Sequence, residues 1–285
     1  MESHVDLHVH SNASDGECSP TDVVSRAAEA RVTVIALTDH DTLDGVGEAV
    51  AAGTRLGIRV VTGCEFSVRV RWGEMHLLGY FLPHDDAGLM HFLAEQRAMR
   101  ERRALEIVAR LQRAGVTIEE SEVFAEAAGG AVGRPHVARV LVRLGVVTDI
   151  NEAFDKYLGA KRPGFVPKHL PGVAEVTELV RGINGVTSAA HLGARAGRVV
   201  LRELRSAGVD GVEVLHPAHD NVIAARLDSL AAALAMLPTG GSDWHGDDTF
   251  GSDRAPIGSM SVPSVWLESV ERLHMERKAA AQASV

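Results

Sequence analysis

Histidines and carboxylates recur along this chain as close pairs separated by long intervals. His8 and His10, Asp39 and His40, and Asp243 and His245 are the pairs, with Asp15, Glu65, His76 and His191 standing between them. Neutral imidazoles mixed with carboxylates suit Mn²⁺, Fe²⁺ or Zn²⁺ better than Ca²⁺ or a thiolate-selecting metal. Nine candidate ligands (His8, His10, Asp15, His40, Glu65, His76, His191, Asp243 and His245) exceed what one ion takes, so two or three divalent ions are expected. Glu65 has two oxygens to share and could bridge a pair of ions. Two ions about 3.5–4 Å apart would activate a bridging water and stabilise the oxygens of an in-line phosphoryl displacement. Asp39 is expected to orient a ligand imidazole, and Asp41 and Asp44 to cap the helix that follows them.

Residues so far apart meet only if the fold gathers them, and the patterning indicates how. HVDLHVH (4–10) alternates as a strand, with Val5, Leu7 and Val9 on one face and His8 and His10 on the other. Ser19-Pro20-Thr21-Asp22 starts a helix running to about residue 31. A strand at 32–37, a helix from about Leu43 to Gly57 and a strand at 58–63 follow. SVRVR and MHLLGYF flank Trp72-Gly73 as a hairpin. Residues 85–161 read as helices only, an α-helical insertion. The alternation then resumes: helix 172–183, strand 186–191, helix 195–207, strand 209–215, helix 220–235, strand 236–243, and a last helix opened by Pro263 that runs into a small-residue tail. This is α/β grammar with a mainly parallel sheet. Each candidate ligand falls at or just after a strand end in this reading, apart from His76 on the hairpin. In parallel barrels those ends converge on one mouth.

Bulk composition narrows the field. With 285 residues and 46% hydrophobic content, the chain can bury a substantial core. A net charge of −9 argues against holding long nucleic acid non-specifically, and 4% aromatic residues leave no extended base-stacking platform. Cys18 and Cys64 form no framework of bridges, the N-terminus lacks a basic start followed by an apolar run, and no apolar stretch is long enough for a bilayer. A soluble cytoplasmic protein is expected, with no membrane partner; composition leaves the oligomeric state open.

The motifs H-V-H-S-N-A-S-D-G, T-D-H-D, G-C-E-F, H-L-L-G-Y, A-A-H and G-S-D-W-H, in this order, resemble those of the PHP (polymerase and histidinol phosphatase) family. The resemblance covers nearly the whole chain. It implies a distorted (β/α)₇ barrel, formed by 1–84 and 162–285, carrying an inserted α-helical substrate-binding subdomain at 85–161. It also implies a two- or three-metal phosphoesterase, often manganese-loaded, with the nine residues above as ligands. Leu192 stands where the family often has proline, and Asp15 where some relatives use histidine.

Within the insertion, Q-R-A-M-R-E-R-R, G-R-P-H-V-A-R, K-Y-L and R-P-G-F-V resemble the bacterial members that hydrolyse nucleoside 3′,5′-bisphosphates, some of which also shorten small oligoribonucleotides from the 5′ end. A substrate with two phosphates needs one at the metals and another in guanidinium forks. Arg97, Arg100 and Arg103 share a helix face, although Glu95, Glu101 and Glu106 also permit a solvated, ion-paired surface. Arg100, Arg103, Arg134 and His136 are the expected clamp for the 3′-phosphate. The expected reaction is attack of a metal-bridging hydroxide on the 5′-phosphorus, with His219 as the candidate acid for the leaving alkoxide. Two alternatives stand beside it: a phosphatase for another small monoester such as histidinol phosphate, and a non-catalytic metal-binding regulatory module.

Overall fold

The computed structural model describes residues 4–246 and 255–283. The first three residues of the N-terminal reading and the last two of the small-residue tail lie outside these. Strands β1 (Val5–Val9), β2 (Val34–Leu37), β3 (Arg59–Val70), β4 (Gly73–Tyr80), β5 (Val186–Ala189), β6 (Gly211–Leu215) and β7 (Leu237–Gly240) form one seven-stranded sheet in chain order. β1–β3 and β5–β7 run parallel, and β4 is antiparallel to both of its neighbours. Backbone hydrogen bonds also join the segment after β7 to β1: Asp243 N–H donates to His8 O and His10 N–H to Trp244 O, each at 2.9 Å. The architecture is mixed α/β, as the alternation predicts.

Helices α1 (Pro20–Glu29) and α2 (Val46–Leu56) connect the first three strands. Ser19 caps α1 by accepting the Asp22 N–H at 3.1 Å, with Pro20 in the first turn, so the sequence signal and the structure coincide. Between β4 and β5 lie α3 (Ala87–Arg113), α4 (Glu120–Ala127), α5 (Arg134–Arg143), α6 (Ile150–Ala153) with a π-turn at Phe154–Leu158, and α7 (Val173–Gly182). Then come α8 (Arg198–Ser206), α9 (Asn221–Leu234) and α10 (Ser264–Ala283). None of the described helices is long and apolar enough to cross a membrane.

Two strand readings need correction. The run 58–63 and the hairpin arm SVRVR are one strand, because Cys64, Phe66 and Val68 carry the alternation straight through. Glu65 therefore stands in mid-strand rather than at a strand end. Second, Val5, Leu7 and Val9 do not share a face. The β1–β2 register shifts between Asp6 and Val9. Val5 and Leu7 accordingly pack with Val34, Ala36, Leu78 and Tyr80, while Val9 joins Ile35 and Leu37 in the larger core beneath the helices. A bulge inserts one residue and reverses the parity beyond it. It lets an apolar plug (Val5, Leu7) and a polar pair (His8, His10) follow one another along β1 and the residue after it.

A third apolar cluster draws only on residues between Ala104 and Val166, from α3 through the segment after the π-turn. This stretch thus has a core of its own.

Candidate metal centre

Glu65 is the hub. β3 buries it, with its side chain 1% exposed, and its two oxygens face different sets of imidazoles. Oε2 lies 3.3 Å from His8 Nε2, 3.2 Å from His10 Nε2 and 3.1 Å from His40 Nδ1. Oε1 lies 3.0 Å from His76 Nδ1 and 2.9 Å from His191 Nε2. On the far side of β1, Asp243 Oδ1 sits 3.3 Å from His8 Nε2 and 3.2 Å from His10 Nε2. Asp15 Oδ1 approaches His245 Nε2 at 3.2 Å and His40 Nε2 at 3.9 Å. All nine residues expected to be ligands therefore meet in one place.

Their grouping fits cations. His8, His10, Glu65 and Asp243 present ligand atoms within 4.8 Å of one another, as do His10, Asp15, His40 and His245, and His40, Glu65 and His76. His8 Nε2, both nitrogens of His10, Asp15 Oδ1 and His40 Nδ1 are buried and have no hydrogen-bond partner. Burying such atoms unpaired costs roughly 1–3 kcal/mol each, so their convergence is unfavourable unless positive charge lies among them. The electrostatics agree. Burial alone would raise the Glu65 pKa, yet His76, His40 and His8 hold it well below the usual carboxylate range. Burial would lower His10, but Asp243 and Glu65 lift it to about 9. A divalent ion would take the place of these protons. The fourth group of neighbouring ligand types, His8, Glu213 and His216, behaves differently. His8 donates from Nδ1 to Glu213 Oε1 at 3.0 Å, and His216 Nδ1 accepts the Ala218 N–H at 3.0 Å, so neither atom offers a lone pair. Glu213 fixes the His8 ring and also accepts the His191 N–H at 2.8 Å, so it orients two of the candidate ligands. His216 Nε2 faces Asp243 Oδ2 at 3.4 Å.

Backbone geometry serves the cluster. His191 and Asp243 hold φ of +29° and +52°, a region costly for side-chain-bearing residues and concentrated at functional sites. A β-carbon on Gly241 would lie 2.4 Å from that of His8, so only glycine lets β1 and the Asp243 segment approach this closely.

Several expected roles change. Asp39 orients no imidazole. It accepts the Ser11 N–H at 2.8 Å and the Ser11 and Ser14 hydroxyls at 2.6 Å each, pinning the loop that carries Asp15. Asp39→Ala should therefore destabilise the metal-free protein by about 3 kcal/mol or more, since it strands three buried donors. Urea unfolding with an unchanged slope reads this, and a loss below about 1 kcal/mol would contradict it. His219 is held on both nitrogens, donating to Val214 O and accepting the Gly193 N–H, each at 3.0 Å. Burial lowers its pKa, and both ring nitrogens are turned to the backbone and not to the candidate ligands. His136, 1% exposed, turns back to accept the Gly133 N–H at 2.9 Å and caps α5 instead of reaching the mouth. Asp41 caps no helix: it accepts the Ser67 N–H at 2.9 Å and pairs with Arg100. Asp44 pairs with Arg97 at 2.7 Å.

Beside His40, His76 and His191 opens a cavity of about 410 Å³ lined by Arg100, Arg103, Arg134, Lys168 and Trp72. Arg100 is anchored on Asp41, with Nε at 2.8 Å. Arg103 donates from Nε to Val166 O at 2.8 Å, and the Arg134 guanidinium lies 5.4 Å over the Phe154 ring. Neither of these two arginines has an acidic partner among the described residues. Burial, then Arg134, depresses Arg103 to about 10; burial and Arg100 lower Arg134. Lys168 bonds Glu74, which accepts from His76 Nε2 at 3.2 Å. Burial, then Arg100, brings Lys168 down to about 8.

Glu213, His216, Glu74, Lys168 and Arg195, which also lines the cavity, are absent from the sequence reading. Glu213 left a signal, an acid inside the apolar run V-E-V-L. His216 directly follows a strand end and met the same rule as the ligands. Lys168 lies in a connecting loop and left none.

A family model described as the PHP domain matches residues 6–159. The chain is 33% identical over 252 residues to a Haemophilus influenzae protein named 5′-3′ exoribonuclease, covering 86% of this chain and 91% of that protein. It is 32% identical over 267 residues to a Chromobacterium violaceum protein named 3′,5′-nucleoside bisphosphate phosphatase, covering 88% and 90%. A Bifidobacterium adolescentis crystal structure, of a protein classed by inference as a metal-dependent phosphoesterase, matches with a TM-score of 0.87 at 30% identity, covering 95% of this chain and 96% of that one.

Proposed function

The chain belongs to the PHP domain family, and from that premise we propose that it removes the 5′-phosphate of nucleoside 3′,5′-bisphosphates and also acts on short 5′-phosphorylated RNA. Metal-dependent phosphoester hydrolysis is the chemistry its relatives and its histidine–carboxylate clusters support. We read the sheet, bonded back to β1 beyond β7, as a distorted (β/α)₇ barrel, and 85–161 as a helical subdomain inserted into it.

The observation that carries the substrate is the group of cations beside the ligands. Arg103 and Arg134 sit close together, partly buried and with no ion-paired carboxylate among the described residues, and their pKa values are depressed even though Glu74 acts to raise them. Like charges crowded at low dielectric are relieved by an anion. A phosphate in that cavity, one nucleoside away from a phosphate at the ligands, matches the two charges of a bisphosphate.

His8, His10, Asp15, His40, Glu65, His76, His191, Asp243 and His245 would hold two or three ions, manganese first among the candidates. When bound, these ions supply Lewis acidity that activates water and neutralises the phosphoryl oxygens. The chain's own side chains do the rest. Arg103, Arg134 and Lys168 bind the 3′-phosphate, Arg100 keeps that wall in place through Asp41, and Glu213 and Glu74 fix the His8 and His76 rings. Holding the ester in one pose converts binding into rate.

Lys168 gives this site a pH signature. It is cationic below about 8 and neutral above. The ratio of kcat/KM for the bisphosphate to that for an aryl phosphate should fall as pH rises from 7 to 9. Lys168→Met should flatten that fall; an unchanged slope would remove Lys168 from the site. A phosphate-release comparison with Mn²⁺ tests the main reading, using a 3′,5′-bisphosphate, its two monophosphates, histidinol phosphate and a short 5′-phosphorylated RNA. Preference for the bisphosphate is expected, and a faster 5′-monophosphate or histidinol phosphate would overturn the reading.

A further inference from the structure

The loop that carries Asp15 is held from two sides. On the sheet side, Asp39 binds Ser11 and Ser14. On the other, three successive loop residues face donors from the helical stretch after β4. Ala131 N–H donates to Ala13 O at 2.9 Å, the buried His136 ring hydrogen-bonds the Ser14 backbone, and Arg139 donates from Nη1 to Asp15 O at 3.3 Å. Arg139 is itself steered by Glu126 on α4, 2.9 Å from its Nε. Gly130 comes so near that a β-carbon there would lie 2.6 Å from Asn12 O and 2.8 Å from Ala13 O. Arg97 closes the same seam, bridging Asp44 and Gly129 O.

This seam bears on one group of candidate ligands. Asp15 Oδ1 lies 3.2 Å from His245 Nε2 and is buried without a hydrogen-bond partner, so its place depends on its backbone. No strand or helix fixes that backbone, because the loop falls between β1 and α1. Metal ligands must sit within about 0.2 Å of the proper bond length, so even a small drift of this loop would weaken an ion. α5 carries Arg134 on the arginine-lined cavity and, further along, both His136 and Arg139 against the loop.

We propose that His136 and Arg139 are positioning residues: by holding the Ser14 and Asp15 backbone, they keep Asp15 aimed at an ion shared with His10, His40 and His245. The helical stretch then completes one metal site as well as bordering the substrate cavity. The inference rests on the reading of those four residues as ligands. Groups that orient ligands typically contribute about 10–100-fold to metal affinity.

The test is a Mn²⁺ titration of the metal-stripped full chain, read by calorimetry and by metal content in mass spectrometry. Arg139→Met removes the bond to Asp15 O, and Gly130→Ala presses one methyl group onto Asn12 and Ala13. His136→Asn keeps an acceptor for the Gly133 N–H and gives up Ser14. Each should weaken one Mn²⁺ site at least tenfold and leave the others within twofold. Val140→Ala, in the apolar cluster of the helical stretch, is the control for a merely structural effect. It should lower thermal stability and leave every Mn²⁺ site within twofold. In an Asp15→Asn background, Arg139→Met should weaken Mn²⁺ binding less than twofold, because its effect passes through Asp15. Unchanged binding in Arg139→Met, the same loss in Val140→Ala, or a full tenfold loss in the Asp15→Asn background would overturn the proposal and leave the metal centre standing. Asp15→Asn alone leaving Mn²⁺ binding unchanged would overturn Asp15 as a ligand and the proposal with it. An unsubstituted chain that binds no Mn²⁺ would overturn the metal centre itself.

Discussion

Glu65→Gln should lower kcat/KM for any phosphoester at least a thousandfold and reduce the bound divalent metal by one ion or more. Among the described residues, the carboxylate is the one group whose two oxygens face both halves of the imidazole cluster, His8, His10 and His40 on one side and His76 and His191 on the other. An amide keeps the volume but presents a donor where a negative oxygen stood, and a buried charge stripped of its partner is far more costly than one paired. A thousandfold loss corresponds to about 4 kcal/mol. Metal content by mass spectrometry and turnover on an aryl phosphate read the two effects separately. Full metal content with near-normal turnover would mean that Glu65 bridges nothing.

The second large effect belongs to Arg134. Arg134→Ala should reduce kcat/KM for the bisphosphate about a hundredfold, while hydrolysis of an aryl phosphate changes less than about fivefold. A charge-assisted hydrogen bond contributes roughly 1.5–3 kcal/mol, and a hundredfold is about 2.7. The guanidinium rests on Phe154 and has no ion-pair partner among the described residues, which leaves its donors for a ligand. Among the described residues no hydrogen bond or ion pair joins it to the nine candidate ligands, which is why the two substrates separate. Equal losses on both would make Arg134 a structural residue of α5 and would favour a phosphatase that handles one phosphate.

The sequence made the clustered candidate ligands readable because each member sits beside a strong local signal. Alternation frames His8 and His10, and small residues precede Asp243. That all nine converge follows from strand order, and the order β1 to β7 agrees with it. The helical stretch after β4 was equally plain, since Ala87–Arg113 is long and no strand pattern interrupts it. What escaped was decided by tertiary partners. Nothing local tells that Asp39 binds two serine hydroxyls, or that Asp41 meets an arginine 59 positions away. His219 and His216 lie three apart on one loop, and only the backbone groups around them show that each has a nitrogen committed there. The β1 bulge is likewise invisible to a period-two pattern, because it is a change of register with a neighbouring strand. Loop cations such as Lys168 acquire meaning only from the wall they complete.

The central claim is that Glu65 joins neighbouring cations within one cage of remote residues. Anomalous diffraction from crystals soaked in Mn²⁺ tests it most directly. The account predicts at least two peaks, each within coordination distance of a Glu65 oxygen, one shared with His8, His10 or Asp243 and another with His40, His76 or His191. A single peak, or peaks that leave Glu65 uncoordinated, would contradict it.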